Sequence, residues 1–229
     1  FDLSKNRIGD IGMAQILNAI ENSTYRESII DLNVKDNCLD SLSASALKDL
    51  LSYPNLSIAR LDISWNQIRD AGASEVFVGL QYNTSIRTLL LSWNSLNLDS
   101  ACQQLSEGLS ASQVEEIDIS HCRITAAGMT HIAEGVRQSA RLGLLMADGN
   151  NIQPQGARAL YKAVASVVTD ERVIEVSTQD CNVGVSDGRG FDRTEPGGQY
   201  NLDMEAPIER AIFVDLLRLV REGKGVFLS

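Results

Sequence analysis

Histidine is nearly missing from this chain: His121 and His131 are the only two in 229 residues. That is too few for most histidine-centred catalytic or metal sites. Cysteine is sparse too. Cys38, Cys102, Cys122 and Cys181 include no C-x-x-C pair, which argues against a zinc site and against a disulfide framework. They read as buried thiols, so a reducing compartment, the cytoplasm, is expected. No apolar run approaches the roughly 18 residues that a membrane span requires, and no basic segment followed by an apolar one opens the chain. A soluble protein without a membrane partner is therefore expected. Positive charge is also short, with 20 Lys and Arg against 30 Asp and Glu and a net charge of −10. This argues against nucleic acid and favours a basic protein partner. The signatures H-E-x-x-H, G-x-S-x-G and the phosphate loop are absent, so no catalytic residue, metal or cofactor is expected.

What the chain does have is a period. Polar or small residues that follow a short apolar pattern recur at Asn6, Asn37, Asn66, Asn94, Cys122, Asn150 and Cys181, spaced by 31, 29, 28, 28, 28 and 31 residues. Apolar residues stand eight, five and three positions before each anchor and two after it. The third repeat supplies Ile58, Leu61, Ile63 and Ile68; the fourth Ile86, Leu89, Leu91 and Leu96; the fifth Val114, Ile117, Ile119 and Ile124. The second fits equally, with Ile29, Leu32, Val34 and Leu39. The sixth places Ala147 in the strand, and the seventh is weaker, with Val173, Val176 and Thr178.

Alternation at minus five and minus three predicts a short strand with one buried face. The anchor can bond backbone groups of its own and the neighbouring coil, so that the anchors form a ladder. Six residues further on comes a small residue (Gly12, Ser43, Gly72, Ser100, Gly128 or Gly156), expected to let a helix approach the strand layer. Helical spacing follows in Ile16 and Ile20, Val76 and Leu80, Leu105 and Leu109, Ile132 and Val136, and Leu160 and Val164. Asp10, Asp70 and Asp99 are expected as helix N-caps. One strand plus one helix cannot bury its apolar faces alone, but seven stacked units can. The expected fold class is α/β: a right-handed β–α solenoid whose parallel sheet spans on the order of 30 Å. Helices are bulkier than strands, so the strands should line the concave side.

This pattern, L-x-x-L-x-L-x-x-N/C-x-L on a period of 28 to 29 residues, resembles leucine-rich repeats of the ribonuclease-inhibitor type. Such repeats also occur in NOD-like receptors, tropomodulin-like proteins and Ran GTPase-activating proteins. The resemblance covers roughly residues 1 to 185. It implies a horseshoe-shaped scaffold for binding other proteins, and its Ran-type members imply GTPase activation as an alternative. The first strand positions, Phe1 and Leu3, have no polar cap before them, so more repeats or a cap are expected upstream in a longer protein. After repeat units spanning 1–183, residues 184–199 read as a loop. Tyr200, Leu202 and Met204 then alternate as a last strand, and a helix from Pro207 to about Glu222 completes a cap over 200–229. Gly198 to Met204 with Pro207 to Ala211 resembles the tail of ciliary leucine-rich-repeat proteins. This implies, as a further alternative, a structural subunit of a ciliary or cytoskeletal assembly.

The binding surface is sought among side chains that the repeat leaves on the concave side. One residue before the anchor, the row reads Lys5, Asp36, Trp65, Trp93, His121, Gly149 and Asp180. Both tryptophans of the chain thus fall in one register on adjacent strands, about 5 Å apart, with His121 next. Four before the anchor, the row includes Asp62, Leu90, Asp118 and Met146, flanked by Arg60, Arg87 and Glu116; Asp148 belongs to the same surface. Large aromatics ringed by charges have the composition of an interaction hot spot.

Overall fold

A computed structural model of the protein describes residues 1–167, 169 and 173–181. The expected loop of 184–199 and the cap strand and helix of 200–229 lie outside the described residues. Within them, the helix α1 (Gly9–Glu21) leads to β1 (Asp31–Asn33), and strand and helix then alternate. The order is α2 (Ser41–Leu51), β2 (Arg60–Asp62), α3 (Asp70–Tyr82), β3 (Thr88–Leu90), α4 (Asp99–Ala111), β4 (Glu116–Asp118), α5 (Ala126–Gln138), β5 (Leu144–Met146), α6 (Gln153–Val167) and β6 (Glu175–Ser177). The six strands make one open, parallel sheet in sequence order, and the first repeat joins it through a bridge from Asp2 to Asn33. Pairing matches equivalent positions of the repeat, so Leu32, Leu61, Leu89, Ile117, Leu145 and Val176 form one continuous row. The first five of these are fully or almost fully buried. This is the α/β solenoid that the period implied.

The ladder of anchors works as expected and shows why asparagine suits it. The Asn66 Oδ1 accepts the backbone N–H of Asn37 at 2.9 Å and of Leu39 at 3.0 Å. Its Nδ2 donates to the carbonyls of Val34 at 3.2 Å and Ile63 at 2.9 Å, so one amide serves two coils. Asn150 repeats the arrangement, accepting from Cys122 and Ile124 and donating to Ile119 and Ala147. Cys122 and Cys181 supply only a thiol, which donates to Leu91 O at 3.3 Å and Ala147 O at 3.2 Å respectively. A thiol sulfur is a much weaker acceptor of backbone amides than an asparagine oxygen. In the fourth coil Leu96 N–H bonds the Cys122 carbonyl instead, at 2.8 Å.

Several local expectations are corrected. Gly72, Gly128 and Gly156, six after their anchors, face the preceding helix, not the strand layer: a Cβ on Gly72 would lie 3.1 Å from Ala44 Cβ, and one on Gly128 2.7 Å from Cys102 Sγ. In the fourth repeat Ser100 is exposed and Ala101 takes the buried place. A second set of glycines, unnoticed in the sequence, makes the same approach about two turns further along the same helices. A Cβ on Gly79 would meet Lys48 Cα at 2.9 Å, and one on Gly135 would meet Ser106 Cα at 2.7 Å. In α1 the buried stripe is Met13, Leu17 and Ile20, with Ile16 half-buried. In the seventh repeat Val173 is exposed and Ile174 fills the core, one residue later than the pattern placed it.

The aspartates are not N-caps of their own helices. Asp10 lies in the first turn of α1, and its carboxylate accepts the N–H groups of Asp40, Leu42 and Ser43 at 2.8 to 3.0 Å, which start the next helix. Asp70 likewise accepts Leu98 N–H at 2.7 Å, before α4. The capping is real but passes from one repeat to the following one, which couples neighbouring units. Burial raises the Asp10 pKa, yet the hydrogen bonds from Ser43 and from the Asp40 and Leu42 amides outweigh it and hold the carboxyl below its ordinary value.

Candidate binding surface at the strand ends

The row before the anchors is not part of the strands. Lys5, Asp36, Trp65, Trp93, His121, Gly149 and Asp180 all have left-handed backbones, with φ between 54° and 64°. For a residue with a Cβ this conformation costs about 1 kcal/mol or more. Its return is a hydrogen bond to the next coil. The N–H of Trp65 donates to Ser92 O at 2.8 Å, that of Trp93 to Ser120 O at 3.0 Å, and that of His121 to Asp148 O at 2.7 Å. Backbone bonds therefore hold these residues at the coil spacing, and the side chains inherit that spacing.

The aromatic rings stack. The centroids of Trp65 and Trp93 are 4.4 Å apart at an interplanar angle of 21°, and those of Trp93 and His121 are 4.2 Å apart at 20°. Such near-parallel pairs add roughly 0.5–1.5 kcal/mol each beyond burial. Yet Trp65 remains 47% exposed and Trp93 44%. The stack has physical ends. Before it stands Asp36, which offers no ring. After it stands Gly149, where an added Cβ would overlap the His121 ring.

The other expected residues fall into two groups. On the strands, Leu90, Asp118 and Met146 are half-buried beside one another across β3, β4 and β5. Asp118 accepts Ser120 N–H at 2.9 Å. Asp62 is 5% exposed, and its carboxylate accepts from Ser64 N at 3.0 Å and Ser64 Oγ at 2.5 Å. It also faces Arg60 at 3.5 Å, whose other partner is Asp31 at 3.6 Å. Asp148 accepts Ser177 Oγ at 2.6 Å and Gln179 N–H at 2.7 Å. Arg87 stands apart, at the opposite end of the strands, where it donates to the carbonyls of Thr84, Ser85 and Ile86 and pairs with Glu115 at 3.6 Å. Trp65, Trp93 and His121 are thus brought together beyond the strand ends, Leu90, Asp118 and Met146 form a separate row on the strands, Asp62 and Asp148 are committed to internal bonds, and Arg87 lies at the opposite strand end.

All four cysteines are free. Cys102, Cys122 and Cys181 are buried as expected, and burial pushes their thiols up to about 12, about 12 and about 11 respectively. Cys38 is the exception: it is exposed, in a left-handed turn just after its anchor. Among the described residues no three His, Cys, Asp or Glu side chains converge to hold a metal ion, and no helix is long and apolar enough to cross a membrane.

Comparison with known proteins agrees with this architecture. A family model described as Leucine Rich repeat matches residues 1–17, 55–77 and 113–133. Ribonuclease inhibitor from Sus scrofa is 28% identical over 165 residues, covering 71% of this chain and 34% of the inhibitor. The NACHT, LRR and PYD domains-containing protein 12 from Homo sapiens is 29% identical over 165 residues, covering 70% of this chain and 15% of that protein. The chain thus spans about a third or less of the length of these relatives. Repeat period, anchor ladder, open parallel sheet and these matches together make the chain a leucine-rich repeat protein of the ribonuclease-inhibitor-like type.

Proposed function

We propose that the chain is a non-catalytic module that recognises another protein through its concave strand face, with Trp65, Trp93 and His121 as the central contact. The observation that carries this reading is the half-exposed stack. The core beneath it is already filled by Leu61, Ile63, Leu89 and Leu91, so the indoles are not needed to close the interior. They are held instead in left-handed turns at fixed spacing, with large ring area left in water. A partner meeting this surface would lose little ordering entropy, because rings and backbone are already in place. The free state of all four cysteines supports action in a reducing compartment, the cytoplasm.

The test uses full-length protein and a partner recovered by proximity labelling. Trp65→Ala and Trp93→Ala should each weaken that partner's affinity by about 2 kcal/mol or more. Stability should fall by no more than about 1.5 kcal/mol for Trp65→Ala, which loses one stacking contact, and about 3 kcal/mol for Trp93→Ala, which loses two. Loss of melting temperature with unchanged affinity per folded molecule would retire the reading.

A further inference from the structure

An open groove of about 720 Å3 runs along the strand-to-helix loops beside the stack. Trp93 and His121 border it on one side, and Arg69 and Asn97 belong to its lining on the loops that enter α3 and α4; Arg123, one residue past the Cys122 anchor, also lines it. Trp65 does not. The charge of this groove runs against that of the chain. Arg69 and Arg123 are both exposed, and among the described residues neither side chain reaches a carboxylate, whereas Arg60, Arg87 and Arg137 each do. The one acid in the lining, Asp70, already accepts the Leu98 N–H at 2.7 Å. Two unpaired guanidinium groups beside half-exposed aromatic rings therefore stand in a chain that carries ten more acids than bases.

We propose that this loop groove binds an acidic peptide segment of a protein partner, in which carboxylates flank an aromatic or aliphatic side chain. The carboxylates pair with Arg69 and Arg123, where planar guanidinium groups take them in bidentate fashion. The apolar side chain packs on the edges of Trp93 and His121. This goes beyond recognition by the concave face, because the groove lies on the loop side of the stack and carries the opposite charge preference to the chain as a whole.

The experiment is selection from a random dodecapeptide display library on the folded protein. Enriched sequences should place Asp or Glu next to an aromatic or aliphatic residue. Synthetic copies should change the intrinsic fluorescence saturably, since Trp65 and Trp93 are the only tryptophans. The double variant R69E/R123E should bind them at least about tenfold more weakly. R69A/R123A provides the same comparison if charge reversal alters the thermal transition. Arg137→Ala, at an exposed position of α5 away from the groove, should leave peptide affinity unchanged. Enrichment of neutral or basic peptides, no enrichment, wild-type affinity in both arginine variants, or equal competition by inorganic phosphate would each overturn the proposal. The concave-face reading fails separately, if Trp65→Ala leaves the affinity of the whole partner intact.

Discussion

On the helical side of the molecule, neighbouring repeats come close because side chains are missing; at the strand ends, they come close because side chains are kept and stacked. Gly79 and Gly135 let helix backbones meet at distances where a single Cβ would collide with Lys48 or Ser106. Trp65, Trp93 and His121 do the reverse, filling the coil-to-coil gap with ring on ring. The helical layer gains dense apolar packing and carries no backbone strain at these points. The strand-end rim carries a left-handed backbone at every coil and leaves much of its aromatic area in water. Ring stacking and the coil-to-coil hydrogen bonds offset the backbone cost of the second arrangement, but the exposed ring area adds nothing to the core.

The contrast can be sharpened first with thiol chemistry, where the expected effect is largest. Cys102 sits in the helical layer against Gly128, and Cys122 in the ladder, each with its thiol raised from 9.0 to about 12. Near neutral pH their thiolate population should fall about a thousandfold below that in denaturant, while exposed Cys38 on the rim labels readily in the native protein. The linked pH effect has a definite sign. Stability from keeping these thiols neutral is full below about 9 and is lost as pH rises toward about 12. Mass spectrometry of labelled peptides over time checks the order, and equal labelling of Cys38 and Cys122 would erase the distinction.

Asn66→Ala comes next. It removes an amide that joins two coils and leaves buried N–H and carbonyl groups of Asn37, Leu39, Val34 and Ile63 without that partner. A loss of about 4 kcal/mol is expected in chemical denaturation. Gly135→Val follows, with about 3 kcal/mol, because the added carbons meet Ser106 backbone rather than a movable side chain. If Gly135→Val proved neutral, the close approach of α4 and α5 would not be what holds the helical layer together. The smallest effect is Asp10→Ala, about 1 kcal/mol, from uncapping α2. Because the folded Asp10 pKa is lowered, its contribution is present above about 3.8 and is lost as pH falls through the folded value. Stability curves of wild type and Asp10→Ala should therefore converge in acid.

Much of the fold was legible because a solenoid is nearly one-dimensional. Each repeat contacts its neighbours, so periodic positions in sequence become rows in space. That is why Leu61, Leu89 and Ile117 could be aligned before any coordinates and then proved to pair in register. The aromatic row was legible for the same reason, down to the sharing of one register by both tryptophans. Reading failed where direction mattered within a repeat. Asp10 sits where an N-cap should be, yet its bonds go forward to α2, and spacing along one chain cannot show which coil receives them. The shift from Val173 to Ile174 was hidden too, since either apolar residue satisfies a pattern read at one-residue tolerance.

The sequence by itself determined the number of described coils, the residue types of the core rows, the ladder positions and the co-location of Trp65, Trp93 and His121. These are properties of period, and period survives projection onto a line. Only the tertiary structure decided that those three lie in left-handed turns beyond the strands and that their rings stack face to face. Only it showed that Asp62 is sealed by Ser64 and Arg60, and that Arg69 and Arg123 share a groove with Trp93. Backbone φ and side-chain direction are set by hydrogen bonds between coils. Those bonds join residues 26 to 34 apart in the chain, and which atom meets which is fixed only when the coils are stacked.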